Sequence, residues 1–235
     1  MVVNLACRNN FVIKAAVDPA EDITGKKLCE LCPDAPPVVI QSSVDQALEE
    51  TEVDIAVVTT VSDLTRMEDQ IKQLAAHGVN IVSTCEELFF PFRTQPDIAK
   101  RIDDLCKLNN IACLGTGVNP GYLMDFLPSV LSAPCQSVDA VKVQRVQDAS
   151  VRRIPFQKKI GAGLTLDQFE QNKSKGVLRH VGLPESVDFI AHCMGWQLDE
   201  NTESLEPVIA ETDITTGFEP ISKGMARGVQ QIGTG

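Results

Sequence analysis

Asp54-Ile55-Ala56-Val57-Val58-Thr59-Thr60 decides the fold. Every position between the acid and the threonines is apolar, as a strand buried on both faces of a parallel sheet requires. Leu64 to His77 follows, with Leu64, Met67, Ile71, Leu74 and Ala75 at helical spacing and a stop at Gly78. Asn80-Ile81-Val82-Ser83-Thr84 is the next strand, Asp97 to Leu108 an amphipathic helix, and Ile111-Ala112-Cys113-Leu114-Gly115 a further strand. The same rhythm runs upstream. Phe11 to Val17 reads as a strand leaving through Asp18-Pro19, Val38-Val39-Ile40 as a weaker one, and Ser43 to Glu50 as a helix. Alternation of this kind predicts an α/β fold, an open parallel sheet with helices on both faces and right-handed crossovers. Ligands bind such sheets outside the carboxyl ends of the strands. Those ends are Asp18, Thr59-Thr60, Thr84-Cys85-Glu86-Glu87 and Gly115-Thr116-Gly117.

The pattern changes near Asn119, which divides the chain into a parallel-sheet domain over 1–118 and a second domain over 119–235. Val138 to Val146 alternates in the manner of a strand. A polar stretch follows, with Arg152-Arg153, Lys158-Lys159 and Gly161-Ala162-Gly163. Thr165 to Lys173 and Ser186 to Gly195 read as helices, and Val208 to Thr215 and Gly228 to Ile232 as strands. This half is α+β.

Composition narrows the function. Lys plus Arg number 21 against 32 Asp plus Glu, a net charge of −11. That disfavours nucleic acid, whose phosphates need a basic surface. No run approaches the roughly 18 apolar residues of a membrane span, and the first residues lack the layout of a secretory signal. The 8 cysteines are irregularly spaced and read as reduced thiols of a cytoplasmic protein. Cys29-x-x-Cys32 lacks a second pair or nearby histidine, so no metal site is expected. No nucleophilic-hydrolase motif is present either.

In a dinucleotide-binding sheet, an acid at the end of the second strand bonds the adenosine ribose, about 20 residues after a glycine-rich phosphate turn. Asp18 suits the acid, yet the first glycine is Gly25. The simplest expectation is a chain that starts inside such a domain, after its first strand and glycine turn, with residues 1–9 as the helix that follows. The C-terminal end reads as cut as well, and such a chain is expected to bind a dinucleotide poorly. Glu86-Glu87 at a strand end could orient an ammonium group or exchange a proton with it. Asn119 could bond a carboxamide, with the nearby glycines allowing close approach of a flat ligand. Arg145, Asp148, Ser150, Arg152, Arg153, Gln157, Lys158 and Lys159 form a basic, polar cluster suited to a carboxylate or phosphate. His180 and His192 could exchange protons, but lone histidines are more often packing or surface residues.

Three blocks carry a resemblance: Ile81 to Leu88, Leu114 to Asp125 (LGTGVNPGYLMD), and Arg145 to Gly163. In order along nearly the whole chain, they resemble the 2,4-diaminopentanoate dehydrogenase and NAD(P)-dependent amine dehydrogenase family, and more distantly dihydrodipicolinate reductase. The resemblance implies a Rossmann-like domain, here without its first strand and glycine loop, followed by an α+β substrate and dimerisation domain. It implies oxidation of an amine-bearing carbon to an imine with NAD or NADP, then hydrolysis to ketone and ammonia. Glu87, with Glu86 beside it, would handle the amine. Thr59, Thr60, Cys85, Asn119 and Pro120 would flank the nicotinamide, and Asp18 would face the ribose and favour NAD. Arg152, Arg153 and Gln157 would meet the carboxylate of an amino-acid substrate. A homodimer is implied, with no nucleic-acid or membrane partner. Two alternatives remain: an imine reductase of the dihydrodipicolinate type, or a non-catalytic protein that has lost its cofactor.

Overall fold

The computed structural model describes residues 6, 10–178, 180–215 and 219–235. Apart from Ala6, the helix expected over 1–9 lies outside them. The chain divides into two compact units. The first comprises 1–85 and 97–114, the second 86–96 and 115–235.

In the first unit, β1 (Ala16–Val17) pairs in parallel with β2 (Ile40–Gln41). Separately, β3 (Ile55–Val58) pairs in parallel with β4 (Asn80–Ser83), Ile55 opposite Asn80 and Val58 opposite Ser83. On the far side of β4 lies β5 (Cys113–Gly115). The single sheet expected from the sequence is therefore two pieces. Among the described residues no strand joins β1 to β3, so their ladders do not merge. Of two short helices, α1 (Leu28–Leu31) lies between β1 and β2 in sequence and α2 (Val44–Leu48) follows β2.

Helix α3 (Leu64–Ala76) connects β3 to β4. Asp63 caps it by accepting from the Arg66 amide at 2.9 Å. Its apolar stripe is the core of this unit: Leu64, Met67 and Ile71 are fully buried, and Leu74 and Ala75 nearly so. The helix ends where Gly78 takes a φ of 70°, the left-handed conformation that costs glycine least. Helix α4 (Pro96–Leu108) is tied to α3 by Arg101, which donates to both oxygens of buried Glu68 at 2.9 and 2.8 Å. One face of β3 stays open, with Ile55 and Val57 about half exposed. Helices therefore do not cover both faces of every strand among the described residues.

The second unit is built on β6 (Thr202–Ile209) and β7 (Ala226–Thr234), antiparallel with a register shift at Val208/Ile209. Its helices are α5 (Phe126–Ser132), α6 (Ile154–Lys159), α7 (Leu166–Ser174) and α8 (Leu183–Met194). Phe169 of α7, Leu178, Leu205 of β6 and Ala226 of β7 form its buried centre. Thr165 caps α7 in a reciprocal box with Gln168. Gly161 passes so close to the Phe169 ring that a β-carbon would lie 2.8 Å from it.

Two strand expectations need correction. Residues 139–149 form no strand although the side chains alternate; alternation without a pairing partner does not make a ladder. The strand expected over Val208 to Thr215 lies instead over Thr202–Ile209, where β7 supplies the pairing. No helix of the described residues is long and apolar enough to cross a membrane.

Candidate active site

The loop between β5 and α5 folds back on itself. The Asn119–Pro120 bond is cis. Gly121 has a φ of 118°, and a β-carbon there would sit 2.3 Å from the Gly117 nitrogen. A β-carbon on Gly117 would meet the Pro120 carbonyl at 2.8 Å. These glycines serve the loop's contact with itself, which differs from the expectation that they admit a flat ligand. Asp125 fixes the result. Fully buried, it accepts from the Gly121 amide at 2.9 Å, the Phe126 amide at 2.6 Å and the Ser186 hydroxyl at 2.7 Å. Ser186 lies in the first turn of α8, so the Asn119–Gly121 loop is anchored to that helix.

Residues 86–96 belong to the same unit and open with a 3-10 turn, Glu86–Leu88. Neighbouring side chains on such a turn point about 120° apart, and the two glutamates diverge accordingly. Glu86 lies against Gly182: a β-carbon on Gly182 would be 3.1 Å from Glu86 Cβ and 2.6 Å from Pro120 Cγ. Glu87 accepts from Gln95 Nε2 at 2.8 Å. Its charge also reaches Glu185, a buried residue of α8 whose carboxyl is held above the ordinary range. Burial is the main cause there. Hydrogen bonds from the Glu185 backbone and Thr94 oppose it, while Glu87 and Asp188 add to it. The segment is pinned to α8 by aromatic contacts, Phe89 to Phe189 at 4.8 Å and Phe90 to His192 at 5.3 Å between ring centres. Arg93 adds a bond to the Leu198 carbonyl at 2.8 Å and lies 3.7 Å from buried Asp188.

His180 stands two residues before Gly182. Gln231 of β7 clasps its backbone, accepting from the His180 amide at 2.8 Å and donating to its carbonyl at 2.9 Å. Nδ1 lies 2.9 Å from the Val181 carbonyl. A carbonyl only accepts, so Nδ1 carries the proton and Nε2 the lone pair. Burial pushes the imidazole below its ordinary range. The Val181 bond opposes this, Lys159 and Arg145 reinforce it, and Glu86 pulls the other way.

The expected site residues are thus distributed as follows. Glu86, Glu87, Asn119, Pro120, Arg152, Arg153 and Gln157 belong to the second unit. Arg152 lies over the Phe156 ring at 4.9 Å. Arg153 precedes α6. Gln157 is buried and gives its amide hydrogens to the Ser150 and Arg152 carbonyls at 3.2 and 2.7 Å. Asp18, Thr59, Thr60 and Cys85 belong to the first unit and follow β1, β3 and β4. Asp18 Oδ1 accepts from the Ala20 amide at 2.9 Å, and Thr60 donates to Gln70 of α3 at 2.6 Å. Cys85 is fully buried with its thiol on the Ser62 carbonyl at 3.3 Å. Residues 1–15 contain no glycine. No group of three or more His, Cys, Asp or Glu among the described residues could hold a metal.

Asp125, Ser186, Gly182 and Gln231 were not singled out from the sequence as site residues. Asp125 and Ser186 are 61 positions apart, and Gln231 is 51 from His180, so no local pattern announces either pairing.

Known proteins share both the sequence and the fold of this chain. Residues 122–235 match the 2,4-diaminopentanoate dehydrogenase C-terminal domain. A 2,4-diaminopentanoate dehydrogenase of Acetoanaerobium sticklandii is 31% identical over 199 residues, 84% of this chain and 56% of that protein. The structure of an amine dehydrogenase from Mycobacterium smegmatis superimposes with a TM-score of 0.78 over 99% of this chain and 70% of that one, at 20% identity. In class, the chain is an α/β, Rossmann-like protein with the fold of that structure. Over residues 122–235 its sequence resembles that of the 2,4-diaminopentanoate dehydrogenase C-terminal domain. It spans about half the length (56%) of the curated relative it matches.

Proposed function

We propose that this protein is an NAD(P)-dependent oxidoreductase acting on a carbon that bears a primary amine, with 2,4-diaminopentanoate or a related amine as substrate and reductive amination as the reverse direction. The observation that carries the reading is the placing of Glu86 against the Asn119–Pro120 loop and Gly182, in a unit whose sequence matches that family. The nicotinamide, when bound, supplies the hydride acceptor. The chain's own residues do the rest. The carboxylate of Glu86, rather than that of Glu87 with its bond to Gln95, holds the substrate ammonium and then the cationic iminium. Glu87, hydrogen-bonded to Gln95, adds negative charge behind it. Asn119 offers an amide to the carboxamide of the ring. Asp18 faces the ribose and favours NAD, since a 2′-phosphate would be repelled. Arg152 and Arg153 receive the carboxylate of an amino-acid substrate. A cytoplasmic homodimer completes the proposal.

The test is formation of NADH from NAD+ with 2,4-diaminopentanoate and with simple secondary-carbon amines, with ammonia release followed in parallel. Equal appearance of NADH and ammonia supports the reading. Absence of both with every amine, from a folded protein shown to bind NADH, overturns it.

A further inference from the structure

We propose that His180 is the proton acceptor of this site, working beside Glu86, and that Gln231 is the positioning residue that holds it there. The inference rests on the amine-oxidising reading above and assigns the proton that reading leaves unplaced. An amine bound as its ammonium form cannot give up a hydride until one N–H proton leaves, because the nitrogen lone pair must form the C=N bond. A carboxylate alone is a weak base for that step at neutral pH, whereas a neutral imidazole is well matched to it.

The geometry supplies one. Nδ1–H is committed to the Val181 carbonyl at 2.9 Å, which leaves Nε2 as the basic atom. The backbone of His180 is held on both its amide and its carbonyl by one side chain, Gln231, which also bonds Glu203 of β6. Two residues on, Gly182 brings the same segment against Pro120 and Glu86 with no room for a β-carbon. The charged groups acting on the ring are Lys159 from α6, Arg145 from the preceding segment and Glu86 from the 3-10 turn. The two cations and burial keep it neutral and ready to accept, and Glu86 stabilises the imidazolium once formed.

In the step itself, one N–H bond of the ammonium breaks and an Nε2–H bond forms. No electrons are transferred, and the product is the free, neutral amine with His180 as imidazolium. Loss of a hydride from the amine-bearing carbon, which the nicotinamide would accept, leaves the cationic iminium, and His180 regains its neutral form by releasing its proton to solvent. Water then adds to the iminium carbon, and its proton passes to the same Nε2. The imidazolium returns that proton to nitrogen as the C–N bond breaks. The ketone forms and ammonia departs, taking a proton from the carbinol hydroxyl.

The chain has 3 histidines, so long-range nitrogen–proton spectra resolve each ring by substitution. The proposal requires His180 to be the Nδ1–H tautomer with a titration midpoint below the ordinary value of about 6.5. Glu86→Gln then lowers the midpoint further, with an unchanged thermal melt. A midpoint that Glu86→Gln leaves unmoved, or an Nε2–H tautomer, overturns it. This readout needs no turnover. In the amine assay, His180→Gln lowers kcat/KM at least tenfold and removes the acid limb of its pH profile. Gln231→Leu lowers the rate less and shifts that limb. Wild-type oxidation of amines with the limb intact in a folded His180→Gln protein sinks the base assignment while leaving the proposed function standing.

Discussion

The carboxylate of Asp125 accepts the hydroxyl of Ser186 at 2.7 Å, joining the cap of α5 to the first turn of α8 across 61 residues. With the Gly121 and Phe126 amides on the same carboxylate, one buried side chain sets where the Asn119–Gly121 loop stands on α8. An unmet buried donor costs about 1–3 kcal/mol. Asp125→Ala therefore destabilises the protein by about 3 kcal/mol or more, and Ser186→Ala by about 1–2 kcal/mol. Urea denaturation measures both. The two losses are less than additive in the double variant, because the Ser186 bond is counted in each.

Gly182 and Gly176 separate conformational strain from crowding. Both have positive φ, 97° and 68°. A β-carbon on Gly176 meets nothing within 4 Å, so Gly176→Ala costs about 1–2 kcal/mol of backbone strain alone. On Gly182 it would strike the Pro120 ring at 2.6 Å. Gly182→Ala costs about 3 kcal/mol or more and displaces Pro120 or Glu86. Thermal melts of the two variants side by side show the difference, and amine oxidation falls only in Gly182→Ala.

The α3–α4 link makes stability depend on acid. The hydrogen bonds from Arg101, with Lys72 assisting, hold the Glu68 carboxyl down from 4.5 to about 2. A lowered folded-state value means the stabilisation is full above about pH 4.5 and is lost as pH falls toward about 2. Arg101 and Lys72 are half exposed, so solvent screening reduces the contribution to about 1–2 kcal/mol. Glu68→Gln loses that much at pH 7, and the gap to wild type narrows as pH drops below 4.5. Urea midpoints at a series of pH values report it.

The sequence was informative wherever one segment dictates its own structure. The stripe from Leu64 to Ala75 and the stop at Gly78 are local, and α3 follows from them. The sequence put Glu86 and Glu87 in the parallel-sheet domain over 1–118 and Asn119 and Pro120 in the next, whereas the structure groups all four in the second unit. That Glu86 turns to Gly182 while Glu87 turns to Gln95 follows from a 3-10 turn no periodicity announced. The grouping of 86–96 with α8 rests on Phe89, Phe90 and Phe189, far apart along the chain. The alternation at Val138–Val146 misled because β-propensity without a pairing neighbour yields no ladder. Gln157 resembled a ligand-binding amide, yet its hydrogens are committed to the two backbone carbonyls of its own loop.

The most direct measurement compares wild type with Glu86→Gln in NADH formation from 2,4-diaminopentanoate, at equal cofactor occupancy checked by NADH fluorescence. With the carboxylate gone, the cationic iminium loses its counter-charge, and kcat falls by about 100-fold or more, of the order seen when a single charge-stabilising group is removed. A Glu86→Gln protein that is folded, binds NADH and oxidises the amine at the wild-type rate would contradict the account.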